Sequence, residues 1–307
     1  MKNFKKVPNN DWLMNLDKYR IKENPMGREH CEGPWYSNDG EDGVLAYLFD
    51  YINDKYKFAV DIGSAHGYGG SNVRHLVDKY KWDSFESDYD DGTVENNQWD
   101  RIHPRVKRET IFEHNVCDIF EKYNVPKRFD LLSLDIDSLD WFVLQGLLVG
   151  GYRPSVAILE YNPIFNYDEA FTRYYDESYH KDGTSEYGAS AKAFEMLMGE
   201  ADYKLVHMFG NPDEEIYANN MIFLHGDFID DNTEIKTIKE LHPKNWVEPW
   251  KNQGQDYILQ YDNGEEKKLG NKDINHLKWF LQFCRPNEIP PNKLGGIFIP
   301  ITENIDD

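Results

Sequence analysis

Val60-Asp-Ile-Gly-Ser-Ala-His-Gly67, read with Phe129-Asp-Leu-Leu-Ser-Leu-Asp-Ile-Asp-Ser-Leu-Asp140, decides how this chain folds. Each stretch is an apolar run of strand length that breaks abruptly into glycines or carboxylates. Open α/β sheets bind ligands in the crevice outside the carboxyl ends of their strands. The first break lets backbone approach a ligand closely. The second sets clustered acids where ribose, a metal or the chemistry would lie. Together they predict a nucleotide-type cofactor above an acidic floor.

Outward from these runs, strand and helix patterns alternate. Glu41 to Asp54 places Val44, Leu45, Leu48, Phe49 and Ile52 at helical spacing, with acids at its start that suit the helix dipole. Lys57 to Asp61 reads as a short buried strand, Ser71 to Tyr80 as a helix and Trp82 to Ser87 as a second strand. Residues 88–107 are polar and read as loop, followed by strands over Thr110 to Val116 and Phe129 to Leu134. Asp140 to Leu148 reads as a helix stopped by Gly150-Gly151, and Ser155 to Glu160 as another strand. Helical spacing resumes over Ser190 to Leu197. Tyr203 to Phe209 and Ala218 to Leu224 suggest a closing antiparallel pair. Such alternation implies an α/β fold, a mostly parallel sheet with helices on both faces. The expected organisation is a lead-in over 1–40, a main domain over 41–225 and an appendage over 226–307.

Bulk properties narrow the partners. At 307 residues, 40% of them hydrophobic and 15% aromatic, the chain can bury a substantial core. Its net charge of −21 argues against nucleic acid, whose phosphates call for a basic surface, and favours a neutral or cationic ligand. Cys31, Cys117 and Cys284 are far apart and show no zinc spacing, which fits thiols in a reducing compartment. No apolar leader opens the sequence, and no stretch reaches the roughly 20 apolar residues of a membrane span. The expectation is a cytoplasmic protein without membrane or nucleic-acid partners.

The glycines of the turn fall at 63, 67, 69 and 70, a poor fit to GxGxxG and to a pyrophosphate. An amino-acid-bearing nucleoside such as S-adenosylmethionine needs the room this spacing gives. Glu86 and Asp88 lie about 20 residues beyond Gly67, where an acid is expected to hold ribose hydroxyls. Asp118, taken to follow the third strand, is expected to meet adenine.

At these positions the chain resembles class I S-adenosylmethionine-dependent methyltransferases. Among them it is similar to the FkbM-type group, with likeness to metal-assisted sugar O-methyltransferases. The residues carrying the resemblance are Ser37-Asn-Asp-Gly-Glu-Asp-Gly43, Val60 to Gly67, Ser71-Asn-Val-Arg74, Leu132-Ser-Leu-Asp-Ile-Asp137, Ala157-Ile-Leu-Glu-Tyr-Asn162 and Tyr187-Gly-Ala-Ser190. They cover roughly residues 37–225 in the expected order. The resemblance implies a Rossmann-like seven-stranded sheet with the cofactor at the glycine turn. The cofactor residues would be Glu41, Asp61, Gly63, Ser64, Gly67, Asn72, Glu86, Asp88, Asp118 and Asp135. An oxygen acceptor would sit at the tips of the fourth and fifth strands.

Asp135, Asp137 and Asp140 follow one strand, while Glu160 and Asn162 end the next. In a parallel sheet those ends can be neighbours. Oxygens of Asp137, Glu160 and Asn162 would suit Mg²⁺, a hard cation that prefers oxygen ligands. The reading without metal has Asp135 contacting cofactor and Asp140 capping a helix. Asp137, Asp135 and His66 are the catalytic candidates, with His66 or a spare carboxylate taking the acceptor's proton. The sugar methyltransferases usually offer two adjacent carboxylates where this chain has Glu160-Tyr161-Asn162.

Residues 161–187 form a long insertion rich in tyrosine, with Arg173 and His180 among the rings. Aromatic faces with hydroxyl tips suit a sugar, so the insertion reads as an acceptor lid. Trp246, Trp250 and Trp279 of the tail read as packing onto the main domain or onto a second copy of the chain. The expected activity is methyl transfer to a hydroxyl of a small molecule or glycan precursor. The rivals are a nicotinamide-dependent oxidoreductase and a non-catalytic glycan-binding or assembly module.

Overall fold

Continuous apolar runs without polar alternation belong in strands covered on both faces. The two most apolar segments are indeed the central strands. The computed structural model describes residues 6, 7, 13, 16, 36, 37, 40–52, 56–65, 67, 69–89, 104–163, 165, 167–179, 187–209, 219–241, 251–253, 256–260, 266–268 and 298–301. Its strands are β1 (Phe58–Ile62), β2 (Asp83–Asp88), β3 (Val106–Arg108), β4 (Arg128–Leu134), β5 (Arg153–Glu160), β6 (Phe171–Arg173), β7 (Tyr203–Met208), β8 (Asn220–His225), β9 (Lys251–Gln253), β10 (Asp256–Gln260), β11 (Glu266–Lys268) and β12 (Phe298–Pro300). Its helices are α1 (Glu41–Ile52), α2 (Arg74–Tyr80), α3 (Val116–Lys122), α4 (Asp140–Val149), α5 (Ala191–Glu200) and the single turn α6 (Ile238–Leu241).

Seven strands form one sheet in the order β3-β2-β1-β4-β5-β8-β7. Every pairing from β3 to β5 is parallel, and β8 enters antiparallel between β5 and β7. This is the Rossmann-like, mostly parallel sheet expected from the sequence. Alternate strand residues feed two separate cores. Leu132, Leu134, Ala157 and Leu159 face Phe120, Trp141, Leu144 and Phe194 of α3, α4 and α5. Leu131, Val156 and Ile158 face Leu45, Leu48, Phe49, Leu76 and Val77 of α1 and α2. Period-two alternation across a twice-covered sheet gives this partition.

The order reverses between β1 and β4, which makes their carboxyl ends the topological switch point where doubly wound sheets bind ligands. One strand differs from expectation. Thr110 to Val116 is not a strand: the third strand is the three-residue β3, at the end of the segment read as loop. Asn115 explains the difference, since its side chain accepts from Phe112 N and donates to the Thr110 carbonyl, folding this apolar run into a turn ahead of α3.

Segments near both ends of the chain pair with the main domain. Val7 of the lead-in bridges Ile229, its amide donating to the Phe228 carbonyl at 2.7 Å. In the tail, β12 pairs antiparallel with β6 of the insertion, and β9, β10 and β11 form a small sheet of their own. Among the described residues no helix is long and apolar enough to cross a membrane.

Candidate functional site

Gly63 sits where β1 ends, with φ +89. A Cβ there would lie 1.6 Å from the Asp135 carbonyl oxygen, so only glycine lets the turn pass under the loop after β4. The amides of Gly63 and Ser64 both donate to the Ser87 carbonyl, at 2.9 and 3.0 Å, while Gly67 N donates to the Ser64 carbonyl at 2.8 Å. Asp135 N donates to the Ile62 carbonyl. The ends of β1, β2 and β4 are thus laced together by backbone.

A buried polar layer supports this turn. Ser71 donates to Asp61 at 2.8 Å and accepts from the Arg74 amide, and Asn72 donates to Ser133 at 3.2 Å. Burial first, then the charge of Glu86, pushes the Asp61 carboxyl up to about 7. Arg74 is fully buried, donates to the Gly67 carbonyl at 2.6 Å and forms an ion pair with the equally buried Glu86. Burial drives Glu86 upward, opposed by that guanidinium and by Ser84. At the start of α1, Asp42 accepts from the amides of Tyr36 and Ser37, and Asn220 donates to buried Glu41 at 2.9 Å. The structure therefore places Glu41, Asp61, Ser64, Asn72 and Glu86 in the scaffold around the turn.

Above that layer opens a cavity of about 300 Å³. Ile62 and Gly63 form its base, Ser87 and Asp88 one wall, Glu109 to Phe112 another, and Ile136, Asp137 and Ser138 a third. Glu177 and Tyr179 of the insertion also line it. Four of these residues are carboxylates, and none of the described walls is Lys or Arg. The Ser87 hydroxyl is buried and has no hydrogen-bond partner among the described residues. Such a group is costly unless something else meets it. Sequence patterns do not single out Ser87, because a lone serine carries no periodicity; only its unmatched hydroxyl marks it. Asp118 stands elsewhere, exposed in the first turn of α3 and outside the cavity walls. After the third strand it is Glu109 to Phe112 that line the cavity.

Carboxylate oxygens of Asp135, Asp137 and Glu160 lie within 4.8 Å of one another, each residue half-buried. Asp137 has a left-handed backbone, φ 55. Asp140 holds that loop, accepting from Ile136 N at 2.8 Å and Ser138 N at 3.0 Å. Burial pushes its carboxyl up to about 6, and the Asp137 charge adds to this. The Asn162 amide donates to the Tyr187 carbonyl at 2.8 Å. Carboxylate oxygens thus converge from Asp135, Asp137 and Glu160, two of which, Asp137 and Glu160, are among the expected metal ligands. His66 and His180 lie outside the described residues.

The insertion divides in two. Tyr161, Phe165 and Tyr187 are buried packing groups. Tyr175 stacks edge-on against Phe142, Glu177 meets His114 at 3.1 Å, and the Arg173 guanidinium lies 3.4 Å over the Tyr179 ring. These contacts seat residues 173–179 over the cavity.

No family model matches the chain, and no curated protein matches it. Among solved structures it is similar to an S-adenosylmethionine-dependent methyltransferase from Clostridium acetobutylicum ATCC 824, at 9% identity and a TM-score of 0.32, covering 59% of this chain and 89% of that one. It is also similar to a fibrillarin/NOP5P complex, at 10% identity and a TM-score of 0.31, over 59% of this chain and 79% of the other. Likeness of this degree says nothing about what the chain binds.

Proposed function

We propose that this chain transfers a methyl group from S-adenosylmethionine to a hydroxyl of a sugar or glycan precursor. The observation that carries the reading is the cavity at the switch point, walled by carboxylates and holding one buried, unmatched hydroxyl at Ser87. A pyrophosphate needs free amides and positive charge. Here the amides of Gly63, Ser64 and Gly67 are already bound within the protein, and the described walls carry no Lys or Arg. That disfavours a nicotinamide dinucleotide and suits a ligand bearing positive charge.

Asp88, at the end of β2, is placed to accept from ribose hydroxyls, and Ser87 to meet a polar edge of the nucleoside. When bound, S-adenosylmethionine supplies a methyl group activated by a positively charged sulfur. Asp135, Asp137 and Glu160 would receive the acceptor, orient its hydroxyl and take its proton. Their hard oxygens also fit Mg²⁺, which would hold vicinal hydroxyls and lower the pKa of one of them. Tyr179 and its neighbours offer aromatic surface to a sugar ring.

Calorimetric titration of S-adenosylmethionine into the purified chain, with and without Mg²⁺ and beside NAD⁺, tests the reading. Saturable binding of S-adenosylmethionine, followed by a methyl-sized mass gain on a sugar acceptor, is the expected result. Binding of NAD⁺ alone would replace the reading with an oxidoreductase, and glycan binding without methyl transfer would replace it with a binding module.

A further inference from the structure

We propose that this cavity selects the positively charged cofactor over the neutral thioether left after transfer, so that the ligand's own loss of charge promotes product release. The inference rests on the S-adenosylmethionine reading above and concerns regulation of that same site.

Four carboxylates reach the cavity from four separate elements: Asp88 from β2, Glu109 from the segment after β3, Asp137 from the loop after β4, and Glu177 from the insertion. Two of them have partners on the solvent side. Lys122 holds Glu109 at 2.6 Å and His114 meets Glu177 at 3.1 Å, and both partner side chains are mostly exposed. Asp137 stands in a patch that is already negative, within reach of Asp135 and Glu160. Ser87, whose buried hydroxyl is unmatched among the described residues, belongs to the same wall.

S-adenosylmethionine and S-adenosylhomocysteine share every group except the transferred methyl and the charge on sulfur. Shape and hydrogen bonding therefore cannot separate them strongly, and the field of the walls can. A unit charge several ångströms from partly buried carboxylates shifts affinity by about tenfold or more, and salt screens the effect. A pocket of neutral or basic character would hold the thioether as well or better and would be inhibited by its product.

Calorimetry with three ligands of one shape tests this: S-adenosylmethionine, S-adenosylhomocysteine, and the analogue with an amine-bearing carbon in place of the sulfonium. The expected result is that both cationic ligands bind about tenfold or more tightly than the thioether at low salt, with the gap shrinking as salt rises. Asp137→Asn should narrow the gap by weakening only the cations. Ser87→Ala, which removes a neutral hydroxyl from the wall and no charge, should weaken all three ligands in parallel, which separates a charge effect from damage to the pocket. Thioether binding equal to or tighter than that of the cations would overturn the proposal while leaving the cofactor reading intact. Failure of all three ligands to bind would overturn the cofactor reading and this inference with it.

Discussion

The two halves of the crevice use the same residue types in opposite ways. On the β1–β2 side, Asp61, Ser64, Asn72 and Glu86 are buried and matched to Ser71, Ser87, Ser133 and Arg74. Their polar groups hold backbone in place. On the β4–β5 side, Asp135, Asp137 and Glu160 remain half-exposed with their oxygens converging. Burial tells the two kinds of acid apart: one fully buried with partners builds the site, and one held at the rim faces what enters. A motif containing both cannot be divided by spacing alone.

The sharpest way to break the scaffold half is Gly63→Ala. Its Cβ would overlap the Asp135 carbonyl, and φ +89 already disfavours any side chain. Loss of all detectable cofactor binding is expected, with a fall in Tm on the order of 10 °C. A variant that still bound S-adenosylmethionine normally would show that the turn is not at the cofactor.

On the open half, Glu160→Gln keeps shape and removes charge. Turnover should fall by about 10²-fold or more, while S-adenosylmethionine affinity stays within a few-fold, since Glu160 is not a cavity wall. Equal losses in both would merge the halves and sink the division of roles.

Much of this arrangement was legible in the sequence. The apolar runs ending in Asp61-Ile-Gly63 and Asp135-Ile-Asp137 gave the central strands and the switch point, because strands buried on both faces leave no other pattern. Strand β3 was not legible: three residues at a sheet edge carry too little periodicity, and the more apolar run after it is folded by the Asn115 side chain. The pairing of Arg74 with Glu86 joins a helix to a strand across the turn, and neither residue signals the other by spacing. The approach of Asp135 to Asp137 and Glu160 was not legible either, because it depends on how the loop after β4 turns and not on spacing.

Proton linkage separates the halves more gently. The Asp61 carboxyl is raised from 3.8 to about 7 by burial, and Asp42 likewise rises to about 7. The folded chain therefore holds these protons more tightly than the unfolded one. Stability from them is present at low pH and is lost as pH rises through about 7. Tm is expected to be higher at pH 5.5, which lies between the ordinary and the raised value, than at pH 8, which lies above both. Asp61→Asn should flatten part of that slope. A wild-type chain more stable at the higher pH would show that Asp61 is not buried as described.

The smallest effect concerns the tail. Strand β12 pairs with β6 in register Phe298↔Arg173 to Pro300↔Phe171, and Ile301 N donates to the Ala170 carbonyl at 2.8 Å. On its other side β6 is fixed by Arg173 N to the Gly188 carbonyl and by Ser190 N to the Phe171 carbonyl. Residues that cover the cavity, Glu177 and Tyr179, follow directly from this strand. Deleting residues 296–307 leaves the second set of bonds and removes the first, so the insertion loses an edge without losing its root. Acceptor KM is expected to rise by a few-fold, with kcat and cofactor affinity nearly unchanged, because only the cover over the open half is loosened. A matching loss of cofactor affinity would mean that the tail supports both halves, and that the contrast between them ends at the floor of the crevice.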